Sequence, residues 1–484
     1  MAVRGDIPDA DVDRRVDHPG LALFSVMWAL AAVWHVLGNT LVGSSWGQAV
    51  LALAAGLVLW RPGSVGPLTL LALAGVVTLW LEAPVLGNHW LLAGFVNVAI
   101  LMAVGAGALR RRWSDRLDLA NRLFPIARLC LLGFYAFASF AKLNSGFLDR
   151  ATSCAVFYFD ESTSSVGLGS LQLGGAPWLQ LAVIVGTIAV EVSIPVLLVV
   201  RRTRHLGVVV GLVFHAVLAV DHSHQFFDFS AILAALFVLF LPPSAGVWVA
   251  ERTGSARARL ALVDARLPNV IHGAGAVIPV LAALAVAADR VDAREALDLG
   301  WWPWQLWALV CVVATLRYLD QQPPPPSPRS LRPHHALFLL VPLLVVANGL
   351  TPYLELKTGF GWNMYSNLRT VDGESNHLVV RRTFPLTAEQ SDLVEILDSD
   401  DPGLLRYAAS DHALTWRQLR TYLADHPEVR IRYRRGYDVV GLQHASNRPE
   451  LVAPVPTWRE KVQLFRAVDL RSPERCVPTF GPAR

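Results

Sequence analysis

The sequence predicts a mainly α fold: a polytopic helical membrane bundle followed by a small α+β domain at the C-terminal end. Three observations predict it. Of 484 residues, 54% are hydrophobic and only 17% are charged, a balance outside the range of soluble globular domains. Apolar runs of bilayer-crossing length recur as far as residue 350. Beyond that point the chain turns polar, with short alternating segments that read as strands.

Residues 1–19 are polar and rich in aspartate, unlike a cleavable signal peptide, and are expected in the cytoplasm. The transmembrane domain is expected over 20–350. Its apolar runs lie at 20–41, 46–61, 66–86, 88–108, 124–145, 177–200, 205–220, 226–248, 270–288, 302–318 and 335–350, about eleven spans. Basic residues set the orientation. "RRRWSDR" (Arg110 to Arg116), "RRTRH" (Arg201 to His205), the 251–267 loop with its four arginines and "RSLRPHH" (Arg329 to His335) all fall on one side of these spans. The acidic "DRVDAREALDLG", Asp289 to Gly300, falls on the other. A multipass plasma-membrane protein follows, with its N-terminus inside and residues 351–484 outside. "QQPPPPSPRSLRPHH" reads as a stiff proline-rich spacer before the last span.

In the outer domain, 351–484, "NHLVVRRTF" reads as a strand and "VRIRYRRGYDVVGL" as a hairpin turning at Arg435–Gly436. "LTWRQLRTYLADHP" reads as a helix closed by His426–Pro427. Of the four cysteines, Cys130 and Cys311 fall inside spans and read as small buried hydrophobes. Cys154 and Cys476 both fall outside, where a disulfide between them would tie the tail to the loop after the fifth span.

Lysine usage singles out one residue. The only lysines are Lys142, Lys357 and Lys461, so Lys142 is the sole lysine of the transmembrane domain. Arginine keeps its proton, whereas a desolvated lysine can be driven toward a neutral amine that accepts one. The alternative is a snorkelling anchor at a helix end. Counting along the spans puts His215, His35 and Glu82 in the same outer layer as Lys142, with Asn144, Asp221, His222 and His224 just beyond. Glu191 counts as the deep exception, roughly 15–20 Å from the outer end of its span and too far in to pair directly with Lys142. Intramembrane charges are functional candidates by default. No H-E-x-x-H, C-x-x-C, Walker loop or nucleophile elbow occurs. The outer histidines follow no ligand spacing, so no metal is expected. A net charge of +4 without a basic-aromatic cluster argues against a nucleic-acid partner.

At these residues the chain resembles a known group. "FYAFASFAKLNSGFLD", with its Lys-Leu pair at Lys142–Leu143, the acidic Glu191 in a later apolar helix, and Phe214–His215 in "VFHAVLAVDHSHQFFDFSAIL" resemble vitamin K-dependent gamma-carboxylases and bacterial HTTM-domain proteins. "TPYLELKTGFGWNMYSNLRTVDGESNH" resembles the segment after the last span of HTTM proteins, so the likeness covers roughly residues 20–380. It implies Lys142 as the base that deprotonates a reduced naphthoquinone of the vitamin K or menaquinol type, with His215 as a hydrogen-bonding partner. Where the carboxylases have a second lysine, this chain has Ala141. The implied chemistry is quinol oxidation coupled to proton abstraction or carboxylation at the outer face. It would act on an extracytoplasmic peptide or protein, with the quinol entering from the lipid bilayer. The rival expectation is a non-enzymatic protein that binds a lipid or quinone or scaffolds an outside partner. A transporter is disfavoured, because the ionisable residues gather on one side.

Overall fold

The computed structural model describes residues 18–39, 46–84, 86–171, 176–321 and 331–476. Almost all of the 1–19 segment and most of the proline-rich spacer lie outside the described residues. Among the described residues, fourteen α-helices precede residue 351. They are α1 (Pro19–Gly38), α2 (Trp46–Trp60), α3 (Val65–Glu82), α4 (Asn88–Leu109), α5 (Arg116–Ala141), α6 (Ser145–Leu148), α7 (Cys154–Ser165), α8 (Pro177–Val199), α9 (Arg204–Leu218), α10 (Phe226–Phe237), α11 (Pro243–Val263), α12 (Leu267–Ala287), α13 (Ala293–Gln321) and α14 (Leu340–Leu350). Among the described residues, seven helices are long and apolar enough to cross a membrane: α1, α3, α4, α5, α8, α12 and α13. The segments Phe226–Phe240 and Pro243–Val263 pass that test only as a bent pair, and Trp46–Trp60, Arg204–Leu218 and Ala336–Leu350 are shorter apolar helices.

Two expectations about this region change. The 226–248 run is not one helix. It ends at Phe240, and the chain turns by 110° into α11. The cause is local: Pro242 and Pro243 supply no N–H donors, and Pro243 suits only the first turn of a new helix. The arginine-bearing 251–267 segment is accordingly mostly the exposed second half of α11 rather than a loop.

Helix α1 is the hub. It packs against α2, α10, α11 and α12 and is buried along most of its length. Helix α5 packs against α4, α8 and α14, with Phe134, Tyr135 and Ala138 turned inward. By contrast α8 leaves Leu181, Val185, Val192, Val196 and Val199 exposed, the all-round apolar surface of a helix that faces lipid.

The C-terminal domain holds a five-stranded antiparallel sheet, apart from a small ladder of β1 (Thr370–Val371) and β2 (Glu374–Ser375). Its strands are β3 (Leu393–Ser399), β4 (His412–Thr415), β5 (Ile431–Arg435), β6 (Asp438–Leu442) and β7 (Val468–Asp469), in the order β6-β5-β3-β4-β7. Helices α15 (Pro402–Ser410) and α16 (Trp416–Asp425) cover it, burying Val394, Ile396, Leu404, Leu414, Leu419, Leu423 and Ile431. Helix α16 opens on a capping box between Thr415 and Gln418 and ends at the His426 cap. The hairpin turns one residue later than expected, at Gly436–Tyr437, where Gly436 supplies the positive φ.

The "NHLVVRRTF" segment is not a strand of the sheet. Its backbone is spent on the end of α5: Leu378 N donates to the Leu143 carbonyl at 2.8 Å, and His377 forms an isolated bridge to Asn144. The tail is thus docked onto the same end of the bundle as Lys142. Trp362, fully buried, donates its indole N–H to the Val345 carbonyl at 2.7 Å and its backbone N–H to Asn88 Oδ1 at 3.1 Å. Cys154 and Cys476 are joined as a disulfide with Cα atoms 4.8 Å apart.

Candidate functional site

Helix α5 stops at Lys142 because Asn144 stops it. Asn144 Nδ2 donates to the Ala141 carbonyl at 2.7 Å and to that of Ser366, while its Oδ1 accepts the Phe147 N–H that opens α6. Asn144 is fully buried and is not part of the wall of the cavity beside Lys142; it holds the helix end and the tail together. Lys142, only 3% exposed, does not snorkel outward. Helical side chains lean toward the N-terminus. Its amine therefore folds back to 3.4 Å from the Ala138 carbonyl and 3.5 Å from that of Met364.

The third partner overturns one expectation. Lys142 Nζ lies 2.9 Å from Glu191 Oε2, so the two pair directly. The depth count failed because it measured from the first residue of the α8 span. Ser139 Oγ donates to the Glu191 carbonyl at 3.0 Å, which puts Glu191 level with the last turn of α5. The helix from Pro177 to Glu191 rises roughly 21 Å, so α8 begins well beyond the end of α5.

The pair opens on a cavity of about 300 Å³. Its walls come from α5 (Phe134, Tyr135, Ala138, Lys142), α7 (Tyr158, Phe159, Ser162), α8 (Val183, Thr187, Glu191) and α9 (Phe214, His215, Val217, Leu218). Phe229 of α10 and the tail residues Met364 and Tyr365 complete them. Val217 and Val166 both line the cavity and stand 62% and 47% exposed, which marks a mouth on the lipid-facing side. His215 contributes a second polar group. Its Nε2 sits 2.5 Å from the Tyr135 hydroxyl, and the Ser230 hydroxyl donates to its carbonyl at 3.1 Å while lying 3.4 Å from Nδ1. The Ser230 hydroxyl thus faces both the carbonyl and Nδ1, and Tyr135 and Nε2 share one hydrogen between them. In the tail, burial and the nearby Asp221 carboxylate push the Tyr365 phenol well above its ordinary value, keeping it a neutral donor at the wall.

Tyr135 was missed by sequence reasoning, although a signal existed. Positions 135, 138, 139 and 142 are spaced to share one face of α5, and all four meet the site.

The other expected residues do not join Lys142. Asp221, fully buried, accepts from the Ser223 N–H at 2.8 Å and pairs with His224 at 2.9 Å beside the aromatic rings of Phe157 and Tyr158. His222 pairs with Asp298 on the surface. His35 and Glu82, expected in one layer with Lys142, form a separate cluster. His35 Nε2 lies 3.1 Å from Glu82 Oε2, and Gln48 donates to Glu82 Oε1 at 3.1 Å. His35 Nδ1 lies 2.9 Å from Asp228 Oδ2, which His89 Nε2 also approaches at 2.8 Å. The Phe229 ring stands between the two clusters, with its centroid 5.0 Å from that of His215 and 5.6 Å from that of His89.

Chemically, the cavity offers a mostly apolar chamber with one ion pair and one hydrogen-bonding pair. Such a site fits a small amphiphile whose polar head needs one proton acceptor and one further hydrogen-bond partner. No family model, no curated protein and no solved structure matches the chain.

Proposed function

We propose that this is a membrane protein of the HTTM and gamma-carboxylase-like group that binds a reduced naphthoquinone in the α5–α8–α9 cavity and removes its proton. The observation that carries the reading is the Lys142–Glu191 pair, 2.9 Å apart, on the wall of the chamber that His215 also lines. The quinol head enters through the Val217 side, and its isoprenoid tail stays in the bilayer. A volume of about 300 Å³ is enough for a head group alone.

The pair changes how Lys142 acts as a base. The amine has the Glu191 carboxylate at ion-pair distance and donates to two carbonyls, the surroundings of an ammonium. The amine therefore accepts a proton only after giving its own to Glu191. Net, a quinol hydroxyl and an ammonium–carboxylate pair become a quinolate and an ammonium–carboxylic acid pair. The ammonium stays beside the new oxyanion, where low dielectric makes it most effective. His215 and Tyr135 hold the head group in place. Molecular oxygen would then take the quinolate to epoxide and a hydroxide-level base, and that base would leave as water on taking a proton from an acceptor peptide at the outer face.

The test is oxygen-dependent epoxidation of a reduced naphthoquinone by the purified protein, comparing wild type with Lys142→Ala and Glu191→Gln. Loss of epoxide in both variants is expected. Equal epoxide from wild type and Lys142→Ala removes Lys142 from the reaction.

A second reading, binding of a quinone or lipid without chemistry, is favoured by the same ion pairing of the Lys142 amine with Glu191. It predicts that naphthoquinol binds and is recovered unchanged from the wild type.

A further inference from the structure

Hydrogen bonding among the members of the second buried cluster leaves one buried carboxylate oxygen unaccounted for among the described residues. Two imidazole nitrogens, His35 Nδ1 and His89 Nε2, converge on a single oxygen, Asp228 Oδ2, at 2.9 and 2.8 Å. The other oxygen, Oδ1, is buried with no hydrogen-bond partner among the described residues. Two donors and a two-oxygen carboxylate would ordinarily spread over both oxygens, since a buried acceptor left unmade costs about 1–3 kcal/mol. The same convergence leaves the two nitrogens and the oxygen grouped around a common point.

The remaining contacts fit an electrophile at that point. His35 turns Nε2 toward Glu82 Oε2 at 3.1 Å, and Gln48 holds the other Glu82 oxygen. A carboxylate behind a histidine fixes the tautomer that leaves the opposite nitrogen free as a ligand. The His35 ring is further held flat against Trp90, centroids 3.6 Å apart. Charge balances as well. Asp228 and Glu82 carry two negative charges, which one divalent cation neutralises while both imidazoles stay neutral. The three ligand atoms lie within 4.8 Å of one another. Bonds of roughly 2.0–2.2 Å then need a contraction of only about half an ångström. The His89 side chain is 16% exposed, which leaves a way in and an open coordination position.

We propose that His35 Nδ1, His89 Nε2 and the Asp228 carboxylate bind one divalent first-row transition-metal ion, with Glu82 as the partner that orients His35. Two nitrogens and a carboxylate suit zinc, cobalt or iron(II) better than the all-oxygen preference of magnesium or calcium. The ion would clamp α1, α4 and α10 at the end of the bundle that carries the tail, one aromatic ring from the cavity. The site does not depend on any quinol chemistry.

The experiment uses the full chain, purified without a histidine tag, stripped with a chelator and titrated with Co²⁺ and then Zn²⁺. The expected result is one equivalent of Co²⁺ with ligand-field absorption in the visible, displaced by Zn²⁺. Asp228→Asn and His89→Gln abolish the absorption, and Glu82→Gln weakens binding about 10- to 100-fold without abolishing it. His89 is the least buried ligand, so its variant is the one least exposed to misfolding. Folded wild type, judged by circular dichroism and gel filtration, that shows no Co²⁺ absorption and no stoichiometric zinc overturns the proposal. So does an unchanged spectrum in folded His89→Gln.

Discussion

Two buried polar clusters sit at the same end of this bundle, and they solve the problem of charge in an apolar interior differently. Around Lys142 the ionic contact is one pair, with a cavity on its free side. Around His35 it is a branched network of four side chains, all drawn inward. The first arrangement leaves room for a guest, and the second leaves room for an ion at most. Burying charge is therefore not by itself the mark of a reactive site. What distinguishes the two is the empty volume beside the charge.

The difference can be broken most sharply at Lys142. Lys142→Met strands the Glu191 carboxylate and is expected to cost about 3–5 kcal/mol in unfolding measured in mixed micelles. The double variant Lys142→Met/Glu191→Leu should regain most of that loss; failure to regain it would mean the two residues are not energetically coupled. In the branched network a single deletion should hurt less, because His35 keeps Asp228. Glu82→Leu is expected to cost roughly 2 kcal/mol in the same assay, and a loss as large as that of Lys142→Met would remove the distinction between pair and network.

Filling the void probes the other half of the comparison. Ala138→Phe projects into the cavity beside the pair, so naphthoquinol affinity should fall at least about tenfold, or about 1.4 kcal/mol, while metal uptake at His89 stays unchanged. Parallel loss of both, read by quinol fluorescence and cobalt absorption, would show that the clusters are one unit.

The smallest effect concerns a lysine without such a partner. In the tail, burial lowers the Lys357 amine to about 8, and no acceptor faces it among the described residues. Its charged form is disfavoured in the fold, so below pH 8 it subtracts from stability, and the penalty fades as pH rises from 8 toward the unfolded value of 10.5. Lys357→Met should therefore raise stability by roughly 1 kcal/mol at pH 7, discounted for a half-buried side chain, with a gain that shrinks by pH 10. A gain that grows with pH would contradict the burial argument.

Much of the bundle was legible because apolar runs of bilayer length have few other uses, and Lys142 was legible because this chain otherwise uses arginine there. His215 could be placed in its layer by counting turns. Depth counting failed for Glu191 because it assumes that spans begin level, and α8 does not. Asp228 was hidden between Phe227 and Phe229, and His89 at the mouth of α4, where a lone polar residue looks like an interface residue. The "NHLVVRRTF" segment had the composition of a strand, but backbone partners offered by the end of α5 and the tail decided its shape. Such choices between competing partners are not written in local pattern.

The chamber wall also carries a timetable. Lys142 and Met364, whose carbonyl faces its amine, are 222 positions apart. At ordinary synthesis speeds of 5–20 residues per second, on the order of 10–45 s pass between the two. Over that interval the lysine is in place while the strap that closes over it does not yet exist. The disulfide spans a still longer stretch, 322 positions, and so locks the strap only after Cys476 has been made. A ribosome that stops before the strap leaves an open half-chamber, so the closed wall beside the ion pair depends on the tail having been made.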